Sequence, residues 1–588
     1  MKLSNYVIEF LLKNKINHVF EVAGGAIAHL LDSLYGRTDI SSISMHHEGA
    51  AAFAAEGYSR ANGNFGVAMA TSGPGATNLI TGIGSCYFDS IPCLFITGQV
   101  NTYEFKFDSP VRQVGFQETD IVSVVRPIIK DAILLTDAKK IKYYLEKLVY
   151  TAKYSRPGPV LIDIPMNVQR SIIEPEFIES FTESLNNGEE KIIDGKVMND
   201  VVDLIRKCIR PVVLVGGGIR LSKAQCELNK FINKTGIPVV TSLMGKDSYP
   251  NNDKYFVGMI GSYGNRYANL VVANSDLILA LGTRLDTRQT GTKPETFARK
   301  AKIIHVDIDL NELNNEIIAD FHINSDVKLF LSMLNNCIKN FNKSNFQLWL
   351  EQINCYKKKY PQFNLSYINN SDVINPNYFM YKLSNYLPND AIICVDVGQN
   401  QMWAAQSLGI KELQRFLTQG GMGSMGSALP MAIGSSFAKP DKTIVTIVGD
   451  GGFQLNIQEL QTLFHHDLNI KIILLNNYSY GMVRQFQEQY FNSRFQSTVE
   501  GYSCPDFQKV VSAFGIIAKR ISRNAEIDES LKELFMNDKP MFLEVEIRPD
   551  FKALPKLSVG RPIEDQEPLL SRDELKSNML IDMVDIND

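Results

Sequence analysis

The sequence predicts an α/β protein built from doubly wound parallel sheets. Two observations carry this reading. Apolar β-branched runs alternate with helix-like segments along most of the chain, the pattern of strand–crossover–strand units. The runs also stop abruptly at glycines or short polar residues, and open parallel sheets hold their ligands beyond the carboxyl ends of the strands. At about 150 residues per domain, 588 residues allow three or four such units.

In the first third, residues 3–13 read as an amphipathic helix and HVFEV (18–22) as a short buried strand ending at Gly24 and Gly25. A second strand ends at His46–His47, and Gly49 to Arg60 continue as a helix of small residues. Glu48 stands at that junction. Burial among small apolar residues would disfavour its charged form, although a helix start is also an ordinary place for an acidic residue. GVAMAT (66–71) runs into the turn SGPGATN (72–78), and 87–100 supplies a further buried strand.

The polar stretch 182–191 reads as a linker. VVLVGGGI (212–219) then leads into a helical pattern. Gly216 and Gly218 fit the start of a dinucleotide fingerprint, but Leu221 occupies its third glycine position and no acidic residue follows at the next strand end. A standard NAD site is therefore not expected. SDLILALGTRLDTR (275–288) places Arg284, Asp286 and Arg288 just beyond a strand, and KIIHVDID (302–309) ends in Asp307 and Asp309, positions suited to ribose hydroxyls. Residues 345–370 show no sustained pattern and read as a second linker.

The last third holds the most informative stretch, 443–482. The strand TIVTIV stops at Gly449, Asp450, Gly451 and Gly452. Asn456 with Glu459 has the form of a capping box opening a helix, and a second strand stops at Asn476 and Asn477. The 27 residues from Asp450 to Asn477 suit one right-handed crossover between neighbouring strands. Carboxylate and amide oxygens are hard ligands for Mg²⁺, and flanking glycines admit close approach of an anion. The expected chemistry is a diphosphate held through a divalent cation. Earlier, AIICVDVG (391–398) forms a strand whose end carries Gln399 and Asn400.

Composition narrows the class of partner. Sixty basic and 64 acidic residues give a net charge of −4, which supplies no reason to expect nucleic acid or an anionic membrane. The eight scattered cysteines, without a Cys-x-x-Cys pair, read as reduced thiols. Charged residues interrupt the N-terminal segment, and no apolar run reaches 18 residues. The expectation is a soluble cytoplasmic protein.

The motifs HEGAAAFAAEGYSRANG (47–63), TSGPGATNLITGIG (71–84) and FQETD (116–120) resemble the pyrimidine-binding domain of the acetolactate synthase branch of thiamine-diphosphate enzymes. VDVGQNQMW (395–403), GGMGSMGSALPMAIG (420–434), GDGG (449–452) and the Asn476–Asn477 pair are similar to its diphosphate-binding domain. The likeness runs to about residue 550. It implies a pyrimidine-binding domain over 1–170, a linker at 171–195, a central domain at 196–345, a second linker at 346–372 and a diphosphate domain at 373–550. The tail, 551–588, is expected to fold over the active site as a lid.

By the same resemblance, Glu48 is the catalytic carboxylate and Gln117 contacts substrate or intermediate oxygens. Met425 wedges the cofactor into its bent form. Gly24, Gly25, Pro74 and Asn78 serve the pyrimidine side of the cofactor site. The other side consists of Val397, Gly398, Gln399, Asn400, Gly423, Gly449, Asp450, Gly451, Gly452, Asn477, Tyr480, Gly481, Met482 and Val483. Asp450, Asn477 and the carbonyl of Ser479 bind Mg²⁺. A structural, non-redox FAD would lie on Gly216, Gly217, Gly218, Arg284, Asp286, Arg288, Asp307, Asp309 and Asp326. The implied reaction joins a two-carbon unit from pyruvate to a carbonyl acceptor, in a homodimer or homotetramer whose active sites lie between subunits. Whether a small regulatory subunit binds is left open.

Three departures bear on the acceptor. Biosynthetic members carry Trp where this chain has Phe486, Lys where it has Met166, and His where it has Asn400. With Phe116, these mark the substrate channel. A 2-keto acid remains the first expectation for the acceptor, and a keto-sugar nucleotide is the alternative. A flavin-redox enzyme shares the scaffold. A non-catalytic subunit is disfavoured because Glu48, Asp450 and Asn477 are all present.

Overall fold

A computed structural model describes residues 1–182, 193–369 and 372–584. The polar stretch read as the first linker falls largely outside these residues. Three six-stranded parallel sheets, each flanked by helices, organise the rest. The first contains β1 (His18–Glu21), β2 (Ser41–Ser44), β3 (Gly66–Ala70), β4 (Cys93–Gln99), β5 (Asp131–Leu134) and β6 (Val160–Pro165), in the order β2-β1-β3-β4-β6-β5. The second contains β7 (Pro211–Val215), β8 (Val239–Thr241), β9 (Phe256–Met259), β10 (Leu277–Leu281), β11 (Lys302–Asp307) and β12 (Phe321–Asn324), in the order β12-β11-β10-β7-β8-β9. The third contains β13 (Ile392–Val395), β14 (Arg415–Leu417), β15 (Ile444–Gly449), β16 (Ile470–Asn476), β17 (Ile517–Ile521) and β18 (Met541–Glu546), in the order β14-β13-β15-β16-β18-β17.

The first and third sheets thus share one topology. Their order reverses between β1 and β3 and between β13 and β15, and in the second sheet between β7 and β10. A crevice opens at each switch point. Those crevices are where the glycine-bearing turns of the sequence fall.

The first and third sheets also share a continuous core, because the Glu48–Asn62 helix packs on the Ala428–Ala438 helix. A Cβ at Gly57 would stand 2.2 Å from the Met431 carbonyl oxygen, and one at Gly434 would stand 1.8 Å from that of Ala54. The backbones touch, so only glycine fits. Below this contact, Arg60 bridges Glu56 (2.7 Å) and Asp89 (2.9 Å), and Asp89 accepts hydrogen bonds from the Gly420 and Gly421 amides.

On β6, the carboxyl of Asp163 is buried and accepts from Thr97 Oγ1 (2.7 Å) and Gln99 Nε2 (2.9 Å). Burial outweighs these bonds and pushes its pKa up to about 7. Its contribution to stability is therefore complete below its unfolded-state pKa near 3.8 and is lost as pH rises through about 7. Asp163→Asn removes that titration. Its melting temperature relative to the natural protein is expected to rise between pH 5 and 8, a drift bounded by about 1.4 kcal/mol per pH unit. A pH-independent difference would remove Asp163 as the titrating group.

Two expectations fail in this part of the chain. The stretch 345–370 is not patternless, because Gln347–Lys359 is a helix whose Trp349, Ile353 and Tyr356 are buried. These residues lie at i, i+4 and i+7, and the Trp349 indole donates to the Pro211 carbonyl at 3.0 Å. Lysines and amides on its other face concealed the stripe. The capping box is also absent. One helix begins at Asp450 and ends at Leu455; a 3₁₀ turn, Ile457–Glu459, then starts after Asn456 as expected and runs into the Leu460–His465 helix, but Asn456 caps nothing with its side chain. Asn456 Nδ2 instead donates to the Gly426 carbonyl (2.7 Å), and Glu459 accepts from the His46 amide (3.0 Å). Both side chains bind other segments, although Asn456 stands where the 3₁₀ turn starts.

The tail begins on the Gly481–Tyr490 helix, where the Ala553 carbonyl accepts from Gln485 Nε2 (3.1 Å) and Lys556 Nζ donates to Gln489 Oε1 (2.5 Å), and it continues as a strap. After a short antiparallel ribbon, β19 (Lys556–Leu557) with β20 (Gln566–Glu567), it crosses the helices of the second sheet. Asn269 Nδ2 donates to the Ile563 carbonyl (3.0 Å), and the Tyr356 hydroxyl donates to that of Asn578 (2.7 Å). Ile563 and Leu575 are buried there. Truncation after Leu554 is expected to lower the melting temperature markedly, since each large buried side chain contributes about 1.5–3 kcal/mol. An unchanged melting temperature with lost activity would favour a lid over a strap.

Candidate active site

The third sheet presents its switch-point crevice between the ends of β13 and β15. Register pairs Gly449 with Leu475, which brings Asp450 beside Asn476 and Asn477. Asp450 is buried, and Oδ2 accepts from the Ser479 amide (3.0 Å) and the Tyr502 hydroxyl (2.8 Å). Burial pushes its carboxyl pKa up to about 6 against these bonds. Asn477 Oδ1 lies 3.2 Å from Asp450 Oδ1 and 2.8 Å from the Ser479 carbonyl oxygen, while its Nδ2 donates to Gln399 Oε1 at 2.8 Å. Rotating the amide would satisfy the first two oxygens but turn its own oxygen against Gln399 Oε1. Three oxygens converging with no proton between them form the donor set a hard divalent cation neutralises. The residues present fit Mg²⁺.

Around this cluster, Tyr480 lies against Gly451, and its ring packs against that of Tyr502 at 4.5 Å between centroids. A Cβ at Gly481 would stand 2.0 Å from Gln399 Oε1, so the amide lock on Asn477 requires glycine there. Asn400 is buried and turns inward, donating to the Asp396 carbonyl at 2.7 Å.

The loop bearing Met425 is braced on both sides. Asp396 is fully buried and accepts from the Gly426 (3.0 Å) and Ala428 (3.2 Å) amides; the Ser424 amide donates to Gln419 Oε1 (3.0 Å). Burial lifts the Asp396 pKa to about 6. Met425 itself is 37% exposed.

The first sheet carries a second cluster at its own switch point. Glu48 begins the Glu48–Asn62 helix, is half-buried, and accepts at Oε2 from Asn78 Nδ2 (2.9 Å). Pro74 opens the short helix that carries Asn78. Gly24 and Gly25 follow β1, and Ala26 donates its amide to Thr71 Oγ1 (3.1 Å). Gln117 adopts a left-handed backbone (φ 63°) against Gly73. The Glu118 carboxylate organises its loop by accepting from the Lys106, Val114 and Gly115 amides. Phe116 is 86% exposed. Met166 opens the short helix after β6, where Asn167 is bonded to Thr102. Among the described residues, no hydrogen bond joins Glu48 to the Asp450 cluster.

The second sheet opens onto a cavity of about 1290 Å³. Gly217, Gly218, Arg284, Asp286, Arg288, Asp307 and Asp326 line one part of it, and Val397, Gly398, Gly423 and Met482 line the part nearest the third sheet. A Cβ at Gly218 would meet Gly282 Cα at 2.6 Å and one at Gly216 the Gly282 carbonyl oxygen at 2.1 Å, so these two glycines are required by packing between the ends of β7 and β10. Gly217 lines the cavity, and a Cβ there would meet nothing closer than Met244 at 3.5 Å. Asp307 is nearly buried, and burial lifts its pKa to about 6. Asp309, expected beside it on a ribose, is turned away. It caps the following turn and pairs with Arg156 at 3.0 Å. Arg284 pairs with Asp286 (3.2 Å), and Asp326 caps the Val327–Cys337 helix. The cavity and its Gly217 and Asp307 wall fit an extended dinucleotide.

Tyr502, Asp396 and Gln419 were not singled out from sequence, and Glu459 was read only as half of a capping box. Tyr502, Asp396 and Glu459 act on segments 30 or more residues away, and Gln419 on the Ser424 amide five residues on; Asp396 lies within the motif 395–403, where nothing marks its bracing role.

Sheets of this topology, with an oxygen cluster beyond β15 and β16 that suits a divalent cation, fit an enzyme that binds a diphosphate cofactor. Comparison with known proteins agrees. Residues 1–124 match the N-terminal TPP binding domain of thiamine pyrophosphate enzymes, 198–334 the central domain, and 396–545 the C-terminal TPP binding domain. The chain is 36% identical over 577 residues to acetolactate synthase 2, chloroplastic, of Nicotiana tabacum, spanning 96% of this chain and 85% of that protein. It is 35% identical over 565 residues to the acetolactate synthase large subunit of Cyanidium caldarium, spanning 94% of each. The chain belongs to the acetolactate synthase family of thiamine pyrophosphate enzymes. No helix among the described residues is long and apolar enough to cross a membrane.

Proposed function

We propose that this protein decarboxylates pyruvate and transfers the resulting two-carbon unit to a second carbonyl compound, using thiamine diphosphate, Mg²⁺ and a structural FAD. The observation that carries the reading is the convergence of Asp450, Asn477 and the Ser479 carbonyl at the switch point of the third sheet, in a chain whose relatives are named acetolactate synthase over nearly its full length. When bound, thiamine diphosphate supplies the carbon nucleophile and the electron sink that keto-acid decarboxylation needs.

The protein's own groups do the rest. Asp450, Asn477 and the Ser479 carbonyl hold the cation, and Gln399 fixes which way the Asn477 oxygen faces. Glu48 carries a proton at its carboxyl, oriented by Asn78. Gln117 holds an oxygen of the substrate, and Met425, braced by Asp396 and Gln419, supports the shape of the bound cofactor. Glu48 and Asp450 occupy separate half-sites whose apolar rims, Phe116, Met425 and Phe486, are exposed. Two copies, each turning one half-site toward the other's complement, complete two centres.

Phe486 and Met166 favour a second reading of the acceptor, a keto-sugar nucleotide in place of a 2-keto acid. Supplying pyruvate, thiamine diphosphate and Mg²⁺, and identifying products with and without each acceptor, tests both. Absence of CO₂ release and of acetolactate with pyruvate alone would defeat the reading.

A further inference from the structure

Lys556 is 8% exposed, yet among the described residues no carboxylate stands within ion-pair distance of its ammonium. Its Nζ donates to Gln489 Oε1 at 2.5 Å and lies 5.6 Å from the ring centroid of Phe486 and 5.5 Å from that of Tyr490. The backbone is fixed on both sides. Lys556 pairs with Glu567 in the β19–β20 ladder, and the Leu557 amide donates to the Ser262 carbonyl at 2.7 Å. Glu567 stands across that ladder, where its Oε1 accepts from Ser558 Oγ at 3.3 Å.

A second cation faces the same place. The Arg288 guanidinium lies 5.5 Å from the Tyr263 ring, lines the large cavity, and likewise has no carboxylate at ion-pair distance among the described residues. Burial lowers the Lys556 pKa, with Glu567 opposing and the charge of Arg288 adding to the shift. Three segments far apart in sequence therefore bring a buried cation, Lys556, and an exposed one, Arg288, onto one aromatic wall, with no carboxylate at ion-pair distance among the described residues. Desolvating a cation is unfavourable unless it is paired, and aromatic faces and one amide oxygen offset only part of that.

The wall belongs to the proposed active site. Phe486 lies one helical turn beyond Met482, which lines the cavity, and Phe486 is the ring the sequence marks as an acceptor contact. Met166 supplies no cation to the substrate channel.

We infer that Lys556 is a specificity-determining residue that, beside Arg288, anchors an anionic group of the acceptor, a carboxylate or a phosphate. This rests on the carboligase reading above. An incoming anion would supply the missing counter-charge through charge-assisted hydrogen bonds.

The test compares kcat/KM for three acceptors with pyruvate as donor: 2-ketobutyrate for a carboxylate, a ketose phosphate for a phosphate, and acetaldehyde as a neutral reference. Lys556→Met is expected to reduce selectivity for one anionic acceptor over acetaldehyde by about 10- to 100-fold, the range of a hydrogen bond to a charged group. The arm that falls identifies the anion. Lys556→Arg is expected to restore most of the selectivity, and Lys556→Gln provides a second uncharged variant should the Met variant fail to fold. Equal losses toward all three acceptors, or unchanged selectivity, overturn the inference while leaving the carboligase reading intact. Natural protein that releases no CO₂ from pyruvate overturns both.

Discussion

Glu48→Gln is expected to lower turnover by about 10²–10⁴-fold, the usual contribution of a positioned proton-transfer group, while cofactor affinity changes little. The substitution preserves shape. A glutamine oxygen still accepts from Asn78 Nδ2, which bonds Glu48 at 2.9 Å, and the Glu48–Asn62 helix retains its side-chain cap from His47. What disappears is a group able to carry a proton. Asn78→Ala should cause a smaller loss, because it frees the carboxyl without removing it. Cofactor binding measured by calorimetry, beside CO₂ release from pyruvate, separates the two roles. Substantial turnover in Glu48→Gln would mean that the proton travels another way.

The location of the half-sites was legible in the sequence because of how parallel sheets are written. β15 and β16 are uninterrupted buried runs, and such runs can end only where glycine or a polar residue breaks them. Asp450, Asn477 and Glu48 sit at such breaks, so their neighbourhoods followed from strand ends; the roles of Glu48 and of Asn78, which closes the short helix after β3, rested on the family resemblance. The supports of those residues followed from neither. Tyr502 reaches Asp450 across 52 residues, and Glu459 reaches the His46 amide across 413. A hydrogen bond of that span leaves no periodic trace. Asn456 and Glu459 show the converse failure: their spacing satisfies a local rule, but both side chains bind other segments. The strap after Leu557 was hidden for a third reason. Its partners are Asn269, Asn274 and Arg266, polar residues buried on a helix that reads as an ordinary crossover.

Asp450→Ala is expected to have the largest effect on cofactor binding, raising the dissociation constant for thiamine diphosphate at fixed Mg²⁺ by at least 100-fold. Loss of an outer support of a metal site typically costs 10- to 100-fold in affinity, and Asp450 contributes the only formal charge among the three converging oxygens. The effect should be local. Asp450 bonds the Ser479 amide and the Tyr502 hydroxyl, so its removal leaves two donors that water can satisfy at the crevice. Tyr502→Phe offers the complementary measurement, since it keeps the carboxylate and removes a hydroxyl that competes with a cation for Oδ2. If Asp450 serves a metal, the tyrosine variant should bind Mg²⁺ with little loss and Asp450→Ala should not be rescued by excess Mg²⁺. If instead the carboxylate is a structural acceptor for Tyr502 and Ser479, the two variants should lose stability together and bind cofactor alike. Titration of both proteins with Mg²⁺ at saturating thiamine diphosphate distinguishes a cation site from a buried hydrogen-bond network.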